Sequence, residues 1–400
     1  MEKSRVHFAF GFTELNMRNK SIKVLSCLLV AVAFWLSLDE AAVQAWSLSY
    51  HVGNSLTWDG LGGGVPGKTQ GIEALAANAG YALEAKYHIR NSNPLHLIWQ
   101  NPSLVNEYES PLGTFDASLP GLEWDFVTLQ PHISGGSTLA LDESSILSFI
   151  DLTRTNPANS DTAFFVYGTW PTTPSFPYQD FWESSSPDED STPTLMKAEY
   201  FENLMNRVTS QTDAIVRLIP TGEVFYELDK KVAVGGVPGI DETEDFYRDD
   251  RHLSDVGRYI ASTTVFSTMF QKDPHGVLKP ANAYGDDELF TPEFYEVIWD
   301  TVWNVVSGNA YTGLSDFNND GLTDWADLGI WESAYGVNAA GDADGDGDTD
   351  GDDFLILQRQ YVVHPQQIIA TIPEPASWLI GFAACLFLTC RREAALSGWH

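Results

Sequence analysis

The rhythm of apolar and polar positions changes repeatedly between residues 47 and 306. Residues 47–52 and 84–89 have the composition of short strands, and 125–130 is a stronger one. Residues 163–167 (Ala-Phe-Phe-Val-Tyr) form a near-continuous apolar run of the kind buried on both faces. Residues 216–220 supply a fifth strand. Helical spacing appears over 70–79, 144–153, 196–215 and 254–270. In the last, Val256, Tyr259, Ile260 and Thr263 recur at i, i+3, i+4 and i+7, Ser254 is placed to cap the start, and Pro274 lies just past the end. A helix over 292–306 either closes this region or braces its junction with the acidic segment after it. Strands alternating with helices predict an α/β fold with a five-stranded parallel sheet covered on both faces.

Such sheets bind ligands beyond the carboxyl ends of their strands. The first strand runs into Gly53-Asn54-Ser55 and the third into Gln130-Pro131-His132. Asp249-Asp250-Arg251-His252 stands after the fifth, just before the last helix. A serine hydroxyl is a weak nucleophile until a base takes its proton, and the base needs a partner that fixes its tautomer. The spacing Asp249-x-x-His252 lets one turn of backbone bring the carboxylate to the ring. Asp249 is therefore expected to orient His252, His252 to deprotonate Ser55, and Gln130 to offer its amide to the oxyanion beside backbone N–H groups after Gly53. Taken singly, each motif also reads as an ordinary turn or cap. Their joint occurrence at opposite ends of one domain favours catalysis. His51 and His132 read as pocket-rim or buried histidines, not bases. Trp58, Trp99, Trp124 and Trp170 would suit a sugar-stacking platform or, more simply, a core.

Gly53-Asn54-Ser55-Leu56-Thr57 and Asp249-x-x-His252-Leu253-Ser254-x-x-Gly257 resemble the nucleophile and closing blocks of the GDSL/SGNH hydrolase superfamily over about residues 46–270. The resemblance implies a flavodoxin-like three-layer α/β/α fold and esterase, lipase or carbohydrate-deacetylase activity. Leu129-Gln130 stands at the strand end where that family carries its oxyanion asparagine block. Asn91-Ser92-Asn93 stands where an oxyanion glycine is expected.

Composition narrows the field further. A formal charge of −33 leaves no basic surface for phosphate, which argues against a nucleic-acid partner. Cys27, Cys385 and Cys390 all lie in terminal apolar segments, so the body of the chain holds no disulfide, cysteine-ligated zinc or cysteine nucleophile.

Much of the excess acid is concentrated in two repeats. Asp316, Asn318, Asp320, Asp324 and Asp327 occupy positions 1, 3, 5, 9 and 12 of a calcium-type loop, with Gly321 at the turn and the Leu322 carbonyl at position 7. Asp342, Asp344, Asp346, Asp350 and Asp353 repeat the pattern, with Gly347 at the turn and Asp348 at position 7. Two structural calcium ions are expected, with folding coupled to their binding. Each loop leads into a short apolar helix, over 325–335 and 353–361. The repeats resemble a type I dockerin over about 313–362, a small all-α module, which implies a cohesin-like partner. No cofactor is expected for catalysis.

Both ends read as targeting segments. Residues 1–45 carry basic residues, an apolar run over 24–38 and small residues up to Ala45, the pattern of a secretory signal, with a retained anchor as the alternative. At the other end, after a linker over 363–372, residues 373–392 contain Pro373-Glu374-Pro375, a short apolar stretch and Arg391-Arg392. This resembles the PEP-CTERM sorting signal, which implies a sorting and processing membrane enzyme and delivery to the surface, outer membrane or extracellular matrix of a Gram-negative bacterium. A short tail-anchoring transmembrane helix is the plainer reading.

The expected protein is thus an exported serine esterase over 46–310, acting on ester bonds such as acylated extracellular polysaccharide. An adhesion or matrix protein on a catalytically weak hydrolase scaffold is the alternative. A phospholipase or thioesterase would share the chemistry and differ only in its acyl pocket.

Overall fold

The computed structural model describes residues 46–62, 71–132, 136–185, 196–281, 283–285 and 288–361. The expected signal, linker and sorting segments lie outside the described residues. Among those described, no helix is long and apolar enough to cross a membrane.

The strands are β1 (Ser47–Gly53), β2 (Leu83–Ile89), β3 (Glu107–Glu109), β4 (Phe126–Leu129), β5 (Ala163–Tyr167) and β6 (Val216–Ile219). They form one sheet in the order β3-β2-β1-β4-β5-β6. Five strands are parallel, and β3 adds a short antiparallel edge beside β2. The helices, in chain order, are α1 (Ser55–Thr57, continued by a π-helical turn over Trp58–Gly62), α2 (Ile72–Asn78), α3 (Leu95–Gln100), α4 (Phe115–Gly121), α5 (Leu139–Arg154), α6 (Tyr178–Trp182), α7 (Ala198–Thr209), α8 (Thr221–Val232), α9 (Asp255–Phe270), α10 (Pro292–Gly308), α11 (Trp325–Ala334) and α12 (Gly351–Gln360).

Helices α3, α4, α5 and α7 pack together on one side of the sheet, and α2, α8 and α9 pack on the other. The result is the three-layer α/β/α arrangement expected for a parallel sheet, whose strands need cover on both faces. β5 is buried along its whole length, as its apolar run requires. α9 is buried on almost every side because α10 covers its outer face. Ser254 caps α9 by accepting from Gly257 N–H. A Cβ at Gly257 would come within 2.2 Å of the Phe246 carbonyl, so the absent side chain lets α9 start close against the preceding loop.

The chain leaves β1 toward β2 on one side, while β4 lies on the other. The strand order therefore reverses between β1 and β4, and the crevice beyond their carboxyl ends is the natural ligand position.

The acidic repeats fold against this domain. In each, the last aspartate caps the loop by accepting backbone N–H groups: Asp327 from Phe317 and Asp324, Asp353 from Ala343 and Asp350. Asp324 and Asp350 are the N-caps of α11 and α12, each closing a capping box with that aspartate. α12 packs on α10, and buried Gln360 accepts from Ser315 N–H and donates to the Thr312 hydroxyl. The buried Arg217 of β6 reaches both Asp316 and Asn319 in the first loop. The ammonium of Lys272 lies against Gly345 in the second. The module is docked on the α/β domain, not strung from it.

Candidate active site

The local chemistry starts at the end of β1. Parallel pairing with β4 continues one step past the strand, where Gln130 N–H donates to the Val52 carbonyl. The chain then turns sharply into α1. A Cβ on Gly53 would lie 2.8 Å from Gln130 Cβ and 2.0 Å from Thr57 Oγ1, so only glycine admits the Gln130 side chain so near the turn. Asn54 caps α1 by accepting from Leu56 N–H, and its amide donates to the Asn93 carbonyl beyond β2. Ser55 is the first helical residue.

Its hydroxyl Oγ is 3.0 Å from His252 Nε2. The other ring nitrogen, Nδ1, is 2.9 and 3.0 Å from the two carboxylate oxygens of Asp249. The carboxylate is itself held in place, since Asp249 Oδ1 accepts from the Arg251 and His252 backbone N–H groups. Desolvation pushes the Asp249 carboxyl up, but these amides and the His252 ring outweigh it and hold it at about 2. A hydroxyl, an imidazole and a carboxylate stand in one hydrogen-bonded line, assembled from positions nearly 200 residues apart (|i−j| = 197 for the serine and histidine).

Gln130, expected as an oxyanion donor, makes its hydrogen bonds within the protein. It is fully buried. Its Oε1 accepts from Asn54 N–H and from the Thr57 hydroxyl, and its Nε2 donates to the Pro131 carbonyl. The two demands fix the amide's orientation: a backbone N–H needs the oxygen and a carbonyl needs the nitrogen. The side chain is a strut between the Ser55 turn and the segment after β4, with its oxygen and one amide N–H committed within the protein and no surface open to a ligand.

The backbone amides of the turn can be counted in the same way. Asn54 N–H is spent on Gln130, Leu56 N–H on the Asn54 side chain and Thr57 N–H on the Asn54 carbonyl. Ser55 N–H, at the first helical position, makes no hydrogen bond among the described residues. It is the open backbone donor of the nucleophile turn.

Asp59 carries no signal in the sequence that marks it as a site residue. It sits one turn beyond Ser55 and is 1% exposed. Its Oδ1 accepts from Arg248 (2.9 Å) and Arg258 (3.1 Å), and its Oδ2 from Leu253 N–H (3.0 Å). The three donors bracket Asp249–His252 on both sides, so one buried carboxylate ties the histidine loop to the serine helix. Asp59→Asn keeps the shape and removes the charge that holds two guanidinium groups. It is expected to lower kcat by about 10²-fold with KM little changed, since small misplacements of reacting groups cost that much. Steady-state kinetics checks this, and an unchanged kcat would reduce Asp59 to a packing residue.

The remaining residues singled out by sequence take structural places. His51 is buried inside the sheet between Ser49 and Thr128, with burial driving its ring down to about 3. Trp124 and Trp170 are core residues, and Trp58 and Trp99 pack against the core, so none of the four is an open stacking platform. A cavity of about 150 Å³ is lined by Leu56 and Arg251, the chain neighbours of Ser55 and His252, and by His132, Trp170, Phe181 and Met196 among others. A wider cavity, about 970 Å³, opens at the opposite end of the sheet near Leu48, Phe126 and Ala163, away from Ser55 and His252 and from their chain neighbours. Chemistry places the site at the smaller one.

The acidic loops have the donor set of a cation site. Single carboxylate oxygens of Asp342, Asp344 and Asp353 lie within 4.8 Å of one another, as do those of Asp348, Asp350 and Asp353. Desolvation, eased by Arg217 but aided by Asp327 and Asp320, pushes Asp316 up to about 6. Desolvation and the neighbouring carboxylates Asp353, Asp346 and Asp342 push Asp344 to about 6. Clustered oxygens under mutual repulsion, turned by Gly321 and Gly347 at positive φ, fit a hard divalent ion.

The fold and site together define a three-layer α/β protein with a hydrolase-type Ser-His-Asp line at the carboxyl ends of its parallel strands. No protein family and no curated protein matches the sequence. Among solved structures, the chain is similar to a DUF4886 family protein from Bacteroides uniformis ATCC 8492 at 15% identity and TM-score 0.45, over 66% of this chain and 95% of that one. It is also similar to TesA, at 14% identity and TM-score 0.34, over 55% and 96% of the two chains. A carbohydrate esterase family 3 structure from Talaromyces cellulolyticus is similar at 11% and 0.34, over 56% and 97%. At these scores the site's own geometry has to carry the functional reading.

Proposed function

We propose that this protein is an exported serine esterase that hydrolyses ester bonds through Ser55, His252 and Asp249, with acyl groups on extracellular carbohydrate as the substrate class its setting favours. The observation that carries the reading is the continuous line of hydrogen bonds from Ser55 Oγ through His252 to Asp249. Ser55 Oγ attacks the ester carbonyl while its proton passes to His252 Nε2. The alkoxide then leaves with that proton, and acyl-Ser55 remains. Water, deprotonated by the same nitrogen, attacks the acyl-enzyme, and the acid departs as Ser55 recovers its proton. Asp249 stays ionised and steadies the imidazolium.

The substrate class rests on setting: a secretory signal over 1–45, a sorting signal over 373–392 and a dockerin-like calcium module all suit a cell-surface or matrix enzyme. Calcium in the two loops would be structural. Asp316, Asn318, Asp320, Asp324, Asp327 and the Leu322 carbonyl would hold one ion, and Asp342, Asp344, Asp346, Asp350, Asp353 and the Asp348 carbonyl the other. A cohesin-like protein is the partner class for this module, on faces that its contact with α10 leaves open. A sorting and processing membrane enzyme is the partner for the tail.

The commitment of Gln130 Nε2 to Pro131 is the observation that favours the second reading, a binding or matrix protein on a weak hydrolase scaffold. A panel of short-chain aryl esters and acetylated oligosaccharides, assayed with the full chain, separates the two. Release of acyl groups that stops in Ser55→Ala supports the esterase, and no turnover of any ester supports the scaffold.

A further inference from the structure

Ser55 N–H is one donor, and acyl transfer builds a full negative charge on the former carbonyl oxygen. Preorganised donors for that charge are usually the largest single contribution to catalysis. The esterase reading therefore calls for a second donor that is neither Gln130 nor an amide of the nucleophile turn. On that reading, we propose that His132 supplies it, its ring N–H binding the oxyanion from the β4 side while Ser55 N–H binds from the β1 side.

The register brings the two together. Val52 pairs with Leu129 in adjacent parallel strands, and Ser55 and His132 each stand three residues past that pair. Neighbouring strands run about 4.8 Å apart, and β1 and β4 flank the point where the strand order reverses. The Gln130 strut fastens the two exits to each other, because it accepts from Asn54 and Thr57 and donates to Pro131, the residue before His132. His132 then lines the same small cavity as Leu56 and Arg251, the chain neighbours of Ser55 and His252.

Its ring is buried, with 5% of the residue exposed. Yet it makes no hydrogen bond to any described residue. Its nitrogens are also absent from the sealed, unpaired polar atoms of the described interior, which include His88 Nε2 and His96 Nδ1. The ring faces the cavity instead. A buried polar side chain with unused hydrogen-bonding capacity beside a nucleophile is costly unless a ligand group uses it.

The ring's state suits donation, not base catalysis. Burial first, then the charges of Arg251 and His252, drive its ionisation down to about 4, so it is neutral at working pH and keeps one N–H. No carboxylate hydrogen-bonds its ring among the described residues, whereas Asp249 orients His252. During attack the Oγ–C bond forms, the C=O pair moves onto oxygen and the serine proton goes to His252. His132 keeps its own proton throughout and contributes a hydrogen bond that is strongest at the transition state.

The test compares His132→Asn with His132→Leu in the full chain, since the two side chains are near-isosteric and differ in the N–H. Hydrolysis of p-nitrophenyl acetate, melting temperature and fluorophosphonate labelling are measured for both, for wild type and for Ser55→Ala. His132→Leu is expected to lose about 10²- to 10³-fold in kcat with KM within a few-fold, and His132→Asn to recover at least tenfold of that loss at equal melting temperature. Equal kcat in the two variants overturns the assignment, whether or not either is less stable than wild type. If wild type itself neither hydrolyses nor labels, the esterase reading fails and this assignment with it. If wild type labels at Ser55 while His132→Leu turns over normally, the assignment alone fails.

Discussion

Ser55→Ala and His252→Ala are each expected to lower kcat for a short-chain ester by at least about 10⁴-fold, because a catalytic trio acts as a unit and losing one member forfeits most of its effect. Neither change should move the melting temperature much. Ser55 is partly exposed at the start of a three-residue helix, and the cap that starts α1 belongs to Asn54. His252 has a 22% exposed side chain, and the loop around it is fastened through Asp59 and the Asp249 carboxylate, not through the ring. Kinetics on both variants with thermal melts in parallel checks this. A kcat within tenfold of wild type in either would show that these groups meet without acting together.

Calcium removal should produce the second large effect. A site filled at about 1,000 times its dissociation constant adds about 4 kcal/mol to the folded state, and two sites are in play. EGTA is therefore expected to melt the helices α11 and α12 while the six-stranded domain remains folded, since the acidic module contributes only Leu314, Ala343 and Ile356 to the buried core they share. The pH dependence carries a sign that identifies the cause. Without cation, Asp316 and Asp344 titrate near 6 in the folded module and near 3.9 in an unfolded chain. Folding then favours proton uptake. The apo module should be most stable below about pH 4 and lose that stability as pH rises through 6. Calcium needs the carboxylates deprotonated, so the calcium-bound module should show the opposite trend. Circular dichroism melts between pH 4 and 8, with calcium and with EGTA, measure both. Identical curves in the two series would mean that the loops hold no ion.

Asp249 gives a smaller pH effect of the ordinary acid sign. Its carboxyl is held at about 2 when folded, so the stability it adds is complete above its unfolded value near 4 and is lost as pH falls toward 2. Its side chain is half exposed, which keeps the contribution small.

The five parallel strands are readable because their apolar runs are short, separated and bounded by turn residues. β5 begins and ends where its Ala-Phe-Phe-Val-Tyr run does. The edge strand β3 gives no such signal, because Glu107-Tyr108-Glu109 is too short and polar to carry a pattern. α8 is equally hidden, since it starts a single residue after β6 with no loop to announce it. The helix expected over 196–215 stops at Thr209, because residues 210–215 turn and feed β6. α5 starts five residues before the expected 144, where Thr138 caps it. At the site, Ser55, His252 and Asp249 stand out by residue type and by place beside strand ends. Asp59 does not, because a buried acid paired with Arg248 and Arg258 looks in sequence like any surface charge. Gln130 reads as catalytic because a strand-end amide can point either way along the chain, and only its partners decide which.

All of this chemistry rests on Ser55 being a nucleophile activated by His252. Incubating the full chain with a fluorophosphonate probe and mapping the adduct by mass spectrometry tests it most directly. One adduct is expected, on Ser55, lost in Ser55→Ala and strongly slowed in His252→Ala. No adduct, or an adduct on another residue that survives Ser55→Ala, would contradict it.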